Sequence, residues 1–338
     1  MAFVHGKKGR LWVNGFELSK YFTEFGMAGK AGTADVTAFG QGAKSFISGL
    51  TEGTLTGKGW FGSSTTDIED STLSAALGAA ANTVIVMSPT GATTPGTRAI
   101  ISEAAETDYS VMNPVSGAVS TSFSALADSG LSTGVILNDP TAAAITTATT
   151  STLPTGGIND MGQTDSPTTT YTGTGGTSLT TIITAGVIAA TNPITQGFTT
   201  TGYISVVCNL GVAILSYTGT TSTQFTGLAL VAGTGSWTVG TLASIKSPYF
   251  TNQGAVVVAN VLTVGTNESD TLTLLSSDDG SSWAQVGTQS AVWTNATGIG
   301  GYYFTIPANI PIFRYIAAQL VTTGTTINFT GVVAAARQ

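Results

Sequence analysis

Glycine interrupts this chain too often for long helices to form: 43 of its 338 residues are glycine, scattered among runs of Thr, Ser, Val and Ala. A glycine inside a helix costs roughly 0.5–1 kcal/mol relative to alanine, whereas β-branched side chains fit a pleated surface. Many short strands joined by tight turns satisfy both tendencies. The chain is 42% hydrophobic and 9% charged, which is enough apolar material for a core and too little charge for a solvated tail. At this length two compact units, or one unit with a large insertion, are expected.

Turn chemistry places the first elements. Leu11-Trp-Val13 and Phe16-Glu-Leu18 flank Asn14-Gly15, the dipeptide best suited to the positive φ angles of a type I′ hairpin turn. An extended stretch over Ala34–Phe39 ends at Gly40-Gln-Gly42. From Leu50 to Trp60 the sequence alternates, with Leu50, Thr54, Thr56, Lys58 and Trp60 on one side and Thr51, Gly53, Leu55, Gly57 and Gly59 on the other. Glycine this dense inside a strand points to a bulge or a close backbone neighbour. Thr66 and Glu69 have the spacing of a capping box, predicting a helix over 66–77 that carries Leu73 and Leu77 on one face and stops at Gly78.

Further strands are expected over Thr83–Ser88, Arg98–Thr107, Val115–Ala127 and Leu131–Leu137. Between Thr141 and Thr181 large apolar residues become rare, which reads as a linker or exposed loops. Gly202–Cys208, Ala213–Tyr217, Thr223–Thr226 and Ser236–Val239 then suggest a small β-module. The remaining expected strands are Gly254–Val264, Thr271–Ser276, Ala284–Gly287, Tyr302–Ile306, Phe313–Leu320 and Thr326–Ala334, with a hairpin turn at Asp279-Gly280.

A formal charge of −7 and a pI near 4.5 argue against tight phosphate binding, which needs Lys and Arg to displace counterions. The start of the chain has no apolar core behind a basic flank, so no secretory signal is expected, and no apolar run approaches the roughly 20 residues that cross a bilayer.

Residues that could carry chemistry are few. The single cysteine, Cys208, excludes an intramolecular disulfide and reads as a buried, inert thiol. His5 is the one histidine, and zinc needs about four converging ligands. Gly130-Leu-Ser132-Thr-Gly134 matches a nucleophile elbow but lacks a histidine base, so it reads as a turn. Gly40-Gln-Gly-Ala-Lys44-Ser45 lacks the glycine spacing of a phosphate loop. Ser276-Ser-Asp278-Asp-Gly280 is similar to the Asp-box turn of β-propellers, yet occurs once where a propeller would repeat it. These readings assign no catalytic, cofactor-binding or metal-binding residue and no enzymatic activity.

Two separated stretches carry a resemblance. Asp35-Val-Thr-Ala-Phe-Gly-Gln-Gly-Ala-Lys44, Phe46 and Gly49-Leu-Thr-Glu-Gly-Thr-Leu-Thr-Gly57 resemble the N-terminal part of phage tail tube proteins. Asp270-Thr-Leu-Thr-Leu, Ser277-Asp-Asp-Gly-Ser-Ser-Trp283, Phe313-Arg-Tyr-Ile-Ala317 and Thr330-Gly-Val-Val-Ala-Ala-Ala-Arg337 are similar to the C-terminal end of such subunits. The chain thus resembles the major tail tube protein of long non-contractile-tailed, siphovirus-type bacteriophages.

The resemblance implies a mainly β fold: a tail-tube β-sandwich or barrel with one flanking short helix, plus an inserted small β-rich module. The tail tube domain would be discontinuous, over 1–145 and 247–338. Residues 146–246 would form a Thr/Gly-rich linker and a module on the tube exterior, since a bulky module in the lumen would block DNA. Copies would join into stacked, hexameric rings that deliver DNA, in a virion tail assembled in the host bacterial cytoplasm. The implied partners are the chain itself, a tape measure protein, tail terminator and distal tail proteins, and double-stranded DNA in non-specific passage, with no membrane. Acidic side chains such as Glu17, Asp35 or Glu52 are candidates for the channel wall. The alternative is an extracellular carbohydrate- or receptor-binding β-module, with Trp237, Trp283 and Trp293 as candidate contacts.

Overall fold

The computed structural model describes residues 8–36, 46–62, 69–91, 94–128, 130–153, 159–160, 168–170, 177–190, 198–208, 211–232, 238–239, 244–248, 250–280 and 283–337. Its N-terminal part holds β1 (Arg10–Val13), β2 (Phe16–Glu17), β3 (Phe22–Asp35), β4 (Phe46–Trp60), α1 (Glu69–Ala76), β5 (Thr83–Ser88), β6 (Arg98–Met112), β7 (Ser120–Ala127) and β8 (Ser132–Ile136). The middle holds β9 (Thr149–Leu153), β10 (Asn159–Asp160), β11 (Thr168–Thr170), β12 (Thr177–Ser178), α2 (Leu179–Ala185), β13 (Val187–Ala189), β14 (Gly202–Cys208) and β15 (Gly211–Tyr217). It continues with β16 (Gly219–Thr220), β17 (Gln224–Thr226), β18 (Ala229–Ala232), β19 (Thr238–Val239), β20 (Ser244–Lys246) and β21 (Phe250–Thr251). The C-terminal part adds β22 (Ala255–Thr263), β23 (Ser269–Ser277), β24 (Ala284–Thr294), β25 (Gly300–Ile306), β26 (Ile312–Phe313), β27 (Tyr315–Thr323) and β28 (Thr330–Arg337).

The expected first hairpin forms. Asn14 and Gly15 both take positive φ, 46° and 84°, and Val13 pairs with Phe16 across the turn. The turn also ties distant chain together. The Gly15 amide donates to Oδ1 of the buried Asn260 at 2.7 Å, and Asn14 Oδ1 accepts from the Val84 amide at 3.0 Å.

β1, β5, β6, β8, β28, β22 and β25 follow one another in a single antiparallel sheet. Its seam between the two ends of the chain is β8 against β28, with Val135 opposite Ala335 and Ile136 opposite Ala334. The sheet curls on itself, and strand periodicity sorts its side chains. Trp12, Val84, Val86, Ile101, Val258 and Val332 fill the inside. Val257, Val333 and Ala335 point the other way, onto Leu272, Leu274 and Trp293 of a second sheet. Leu11, Val13, Ile85 and Met87 meet Leu73 of α1 and Phe123 of β7. Strands buried on both faces read as continuous apolar runs, which is why Val256-Val-Val258 and Ala334-Ala-Ala336 do not alternate.

The second sheet runs β10-β27-β23-β24, with β9 also on β27. Residues 149–153, expected as linker or loop, are therefore an edge strand, with Thr149 opposite Thr322 and Leu153 opposite Ala318. A threonine-rich run suits a strand through its β-branched side chains even without large apolar ones. The same stretch ends in a helix the composition hid: α2 is capped by Ser178, which accepts from the Thr181 amide at 3.1 Å, and by Gly186 at φ 71°.

Other boundaries move. The strand expected from Val115 begins at Ser120, and β6 runs on to Met112, five residues past Thr107. β24 continues to Thr294, far beyond Gly287. The helix expected over 66–77 is described from Glu69 to Ala76, while Thr66 lies outside the described residues, as do residues 37–45 and Ser236-Trp237.

Candidate functional site

Among the described residues, an arm built by β3, β4, β6 and β7 carries two strand edges with no neighbouring strand. β6 leaves the barrel at about Ala104: before it, β5 and β8 flank the strand, and after it only β7 is paired, over Ala104–Met112. β7 pairs with β4, and β4 with β3, giving the order β6-β7-β4-β3 with every neighbour antiparallel. β3 and β4 have 14 and 15 residues, so at about 3.4 Å per residue each spans roughly 50 Å.

The two faces of the arm differ. On the inner one, Leu55 and Ala125 are fully buried, and Phe22 meets Phe123 edge to face at 5.4 Å. The dense glycines of β4 answer close neighbours, as the sequence suggested: a Cβ on Gly57 would strike the rings of Phe22 and Phe123, and one on Gly59 the Tyr21 carbonyl. Helix α1 covers this face, with Leu73 in the cluster and the Tyr109 hydroxyl donating to Asp70 Oδ1 at 2.6 Å. Burial, that bond and the nearby carboxylates all raise the Tyr109 pKa.

The opposite face is mixed: Trp60, Leu126 and Met112 stand exposed among charged and hydroxyl side chains. Register aligns Glu24 with Lys58 and Ser122, Lys30 with Glu52, and Gly26 with Thr56, Ser124 and Asp108. Glu24, Lys30, Glu52, Lys58 and Asp108 are all exposed, and Ser110 and Ser122 share a hydroxyl contact at 2.9 Å. Along β4 the pattern is strictly two-residue: Glu52, Thr56, Lys58 and Trp60 lie outside, and Gly53, Leu55, Gly57 and Gly59 are buried. Among the described residues, β3 pairs only with β4, and the outer edge of β6 beyond the Leu77 to Glu106 bridge carries no strand. The arm thus has two free edges of opposite strand direction.

Glu106 sits in the helix-covered face, 6% exposed, and burial together with the charge of Asp108 pushes its pKa up to about 8. Asp270, fully buried beside Glu268 in the second sheet, is pushed up to about 7 by burial and by that neighbour. Both carboxyls hold a proton in the fold that they release when unfolded near pH 5–7. Stability is therefore fullest below their unfolded pKa values, near 4, and falls as pH rises through about 7 and 8. Thermal melts of Glu106→Gln and Asp270→Asn from pH 5 to 9 should each show a flatter Tm profile than the parent. The largest gain is expected above pH 8, on the order of a few kcal/mol.

The residues singled out from sequence do not converge. Glu52 and Asp35 lie exposed on the arm, but Glu17 is on β2, accepting from Arg10 at 3.2 Å and from the Ser19 hydroxyl at 3.0 Å. Ser132 opens β8 as a strand residue opposite Ile101, and Gly134 packs where a Cβ would strike the Ala335 carbonyl. In the Asp-box-like turn, the Ser277 hydroxyl accepts from the Asp279 and Gly280 amides and donates to Asp279 Oδ1, while Asp278 is buried near Lys246. Trp293 is fully buried, stacked at 5.7 Å on Phe329, and Trp283 is half-buried. His5, Lys44, Ser45, Trp237 and the Cys208 side chain lie outside the described residues. Among the described residues no three His, Cys, Asp or Glu side chains gather as a metal would need, and no helix is long and apolar enough to cross a membrane.

The fold is thus that of a mainly β protein with a barrel-like sheet, a second sheet packed on it, and an inserted β-module. No family model and no curated protein matches the chain. Among solved structures it is similar to a chain of the virion of a native gene transfer agent particle, at TM-score 0.30 and 15% identity, covering 38% of this chain and 97% of that one. A chain from the tail of an empty gene transfer agent particle, refined with C6 symmetry, gives TM-score 0.27 and 15% identity over 33% and 81%. The SPP1 Dit protein, described as a paradigm of the hub adsorption apparatus of phages infecting Gram-positive bacteria, gives 0.29 and 10% over 98% and 99%. These structures come from a virion particle, a particle tail and a phage hub. With every TM-score at 0.30 or below the likeness carries no argument, and the functional reading rests on the arm.

Proposed function

We propose that the chain is a structural subunit of a phage-type virion tail whose copies join through their arms into closed rings that stack as a tube for DNA. The observation that carries this reading is the arm itself: four strands, all antiparallel, with β3 free on one side and the distal half of β6 free on the other. Because the strand number is even, β6 of one copy meets β3 of the next in antiparallel sense, and the pattern repeats around a ring without a mismatch. Closure also removes edges that would otherwise aggregate.

Helix α1 blocks one face of the arm, so the opposite face, the one with Glu24, Glu52 and Lys58, lines the hole. With strands about 4.8 Å apart and tilted about 40°, six copies of four strands give a backbone diameter of roughly 48 Å, wide enough for duplex DNA. Three carboxylates, Glu24, Glu52 and Asp108, face two ammonium groups, Lys30 and Lys58, among serines, threonines and the exposed Trp60, Leu126 and Met112. Such a surface offers phosphate no cluster of cations to bind. The discontinuous domain supplies arm and barrel, with β9 and β10 of the expected insertion paired into its second sheet, and the module from β11 to β20 stands outside the wall.

Sedimentation velocity of the purified chain across a concentration series is the test. A discrete ring-sized species or longer polymer growing with concentration is the expected result, and a monomer at every concentration rejects the reading.

A further inference from the structure

The middle of the chain, from β11 to β20, folds around a core of its own that includes Leu179, Ile204, Val206, Leu215 and Phe225. Its five-stranded sheet, β11-β20-β14-β15-β18, presents only one face to that core. On the other face Ser205 and Ile214, opposite each other in register, are both fully buried. The C-terminal part covers them: Phe313, 1% exposed, clusters with Ile214, Ala232, Tyr203 and Phe250. The Tyr203 ring stands edge-on to Phe250 at 5.0 Å and to Phe313 at 5.7 Å. Beside them Lys246 Nζ lies 3.7 Å from Oδ2 of the buried Asp278.

Both chain connections are held as well. On the way in, β9 and β10 are hydrogen-bonded to β27, and on the way out β21 pairs with β26 through Phe250 and Phe313. Units within one chain move relative to each other by default, unless a buried apolar interface prevents it. Here undocking would bring Ile214 and Phe313 into water and separate a buried carboxylate from its cation.

We infer that the inserted module is docked rigidly on the C-terminal part rather than tethered to it, with the Tyr203–Phe250–Phe313 cluster and the Lys246–Asp278 pair as its latch. Any surface the module offers is then held at a fixed angle to the barrel. This holds whether or not copies of the chain form rings.

The test is a distance distribution between nitroxide labels on the full chain, with Cys208→Ser as background and labels at the exposed positions Ser222→Cys and Ser290→Cys, diluted with unlabelled chain. The native latch should give one narrow peak, and a broad distribution overturns the inference without reference to any latch variant. Adding Tyr203→Ala and Lys246→Glu should broaden the peak severalfold while circular dichroism keeps the β signal of a folded module. A peak that stays narrow in that variant overturns the assignment of the latch to these residues.

Discussion

Replacing Gly134 by valine should cost the fold about 3 kcal/mol. Gly134 lies on β8 at the seam with β28, and a Cβ there would meet the carbonyl of Ala335 and the Cα of Ala336. A flexible side chain could rotate away, but backbone inside a packed barrel cannot. The strands would have to separate, and with them Ile136 and Ala334, which help fill the barrel interior. Because the seam joins residues near 135 to residues near 335, the damage spreads to both ends of the chain. Urea unfolding should show a lower midpoint with the N- and C-terminal parts still losing structure together. A Gly134→Val protein with an unchanged midpoint would mean that this seam does not form.

Proline in β3 should separate folding from assembly. Successive amides of a strand point to opposite sides, so of Ala28 and Gly29 one donates toward β4 and the other toward the free edge. Both residues are exposed, and a Cβ at Gly29 meets nothing within 4 Å, so the ring of proline has room. Proline at the inward amide removes a β3–β4 ladder bond and costs about 1–3 kcal/mol. At the outward amide it leaves the monomer's melting temperature nearly unchanged and abolishes the higher oligomer, because the neighbouring strand loses a donor and meets a bulky ring. Sedimentation and thermal melts of the two variants check this, and assembly surviving both substitutions would show that β3 is not the joining edge.

What could be read from the residues follows from what each signal measures. Asn14-Gly15, the alternation along β4 and the Asp279-Gly280 turn are local, and each lies where expected, because turn angles and pleat depend on neighbours a few residues away. The close approach of Gly57 and Gly59 to their neighbours was also legible, since only a missing side chain lets backbone or aromatic rings come so near. β3 was not legible before Ala34. From Met27 onward its described side chains are exposed on both faces, so no hydrophobic alternation marks it. β9 was hidden for the same reason: threonines that pair on β27 look like linker until their partner is known. The candidate site was half visible. Glu52 was named only as an acidic candidate for a channel wall, and the free edges of β3 and β6 belong to strand order, which no local pattern encodes. Glu17 was grouped with Glu52 as an acidic residue, yet it sits on β2, bound to Arg10.

A cryo-electron microscopy reconstruction of the assembled particle, at a resolution that separates strands, bears on the claim most directly. It should show a cylindrical wall with four strands from each copy, β3 beside the next copy's β6, and Glu24, Glu52 and Lys58 turned toward the hole. A wall built from other strands, or arms splayed into solvent with their edges unpaired, would contradict the assembly described above.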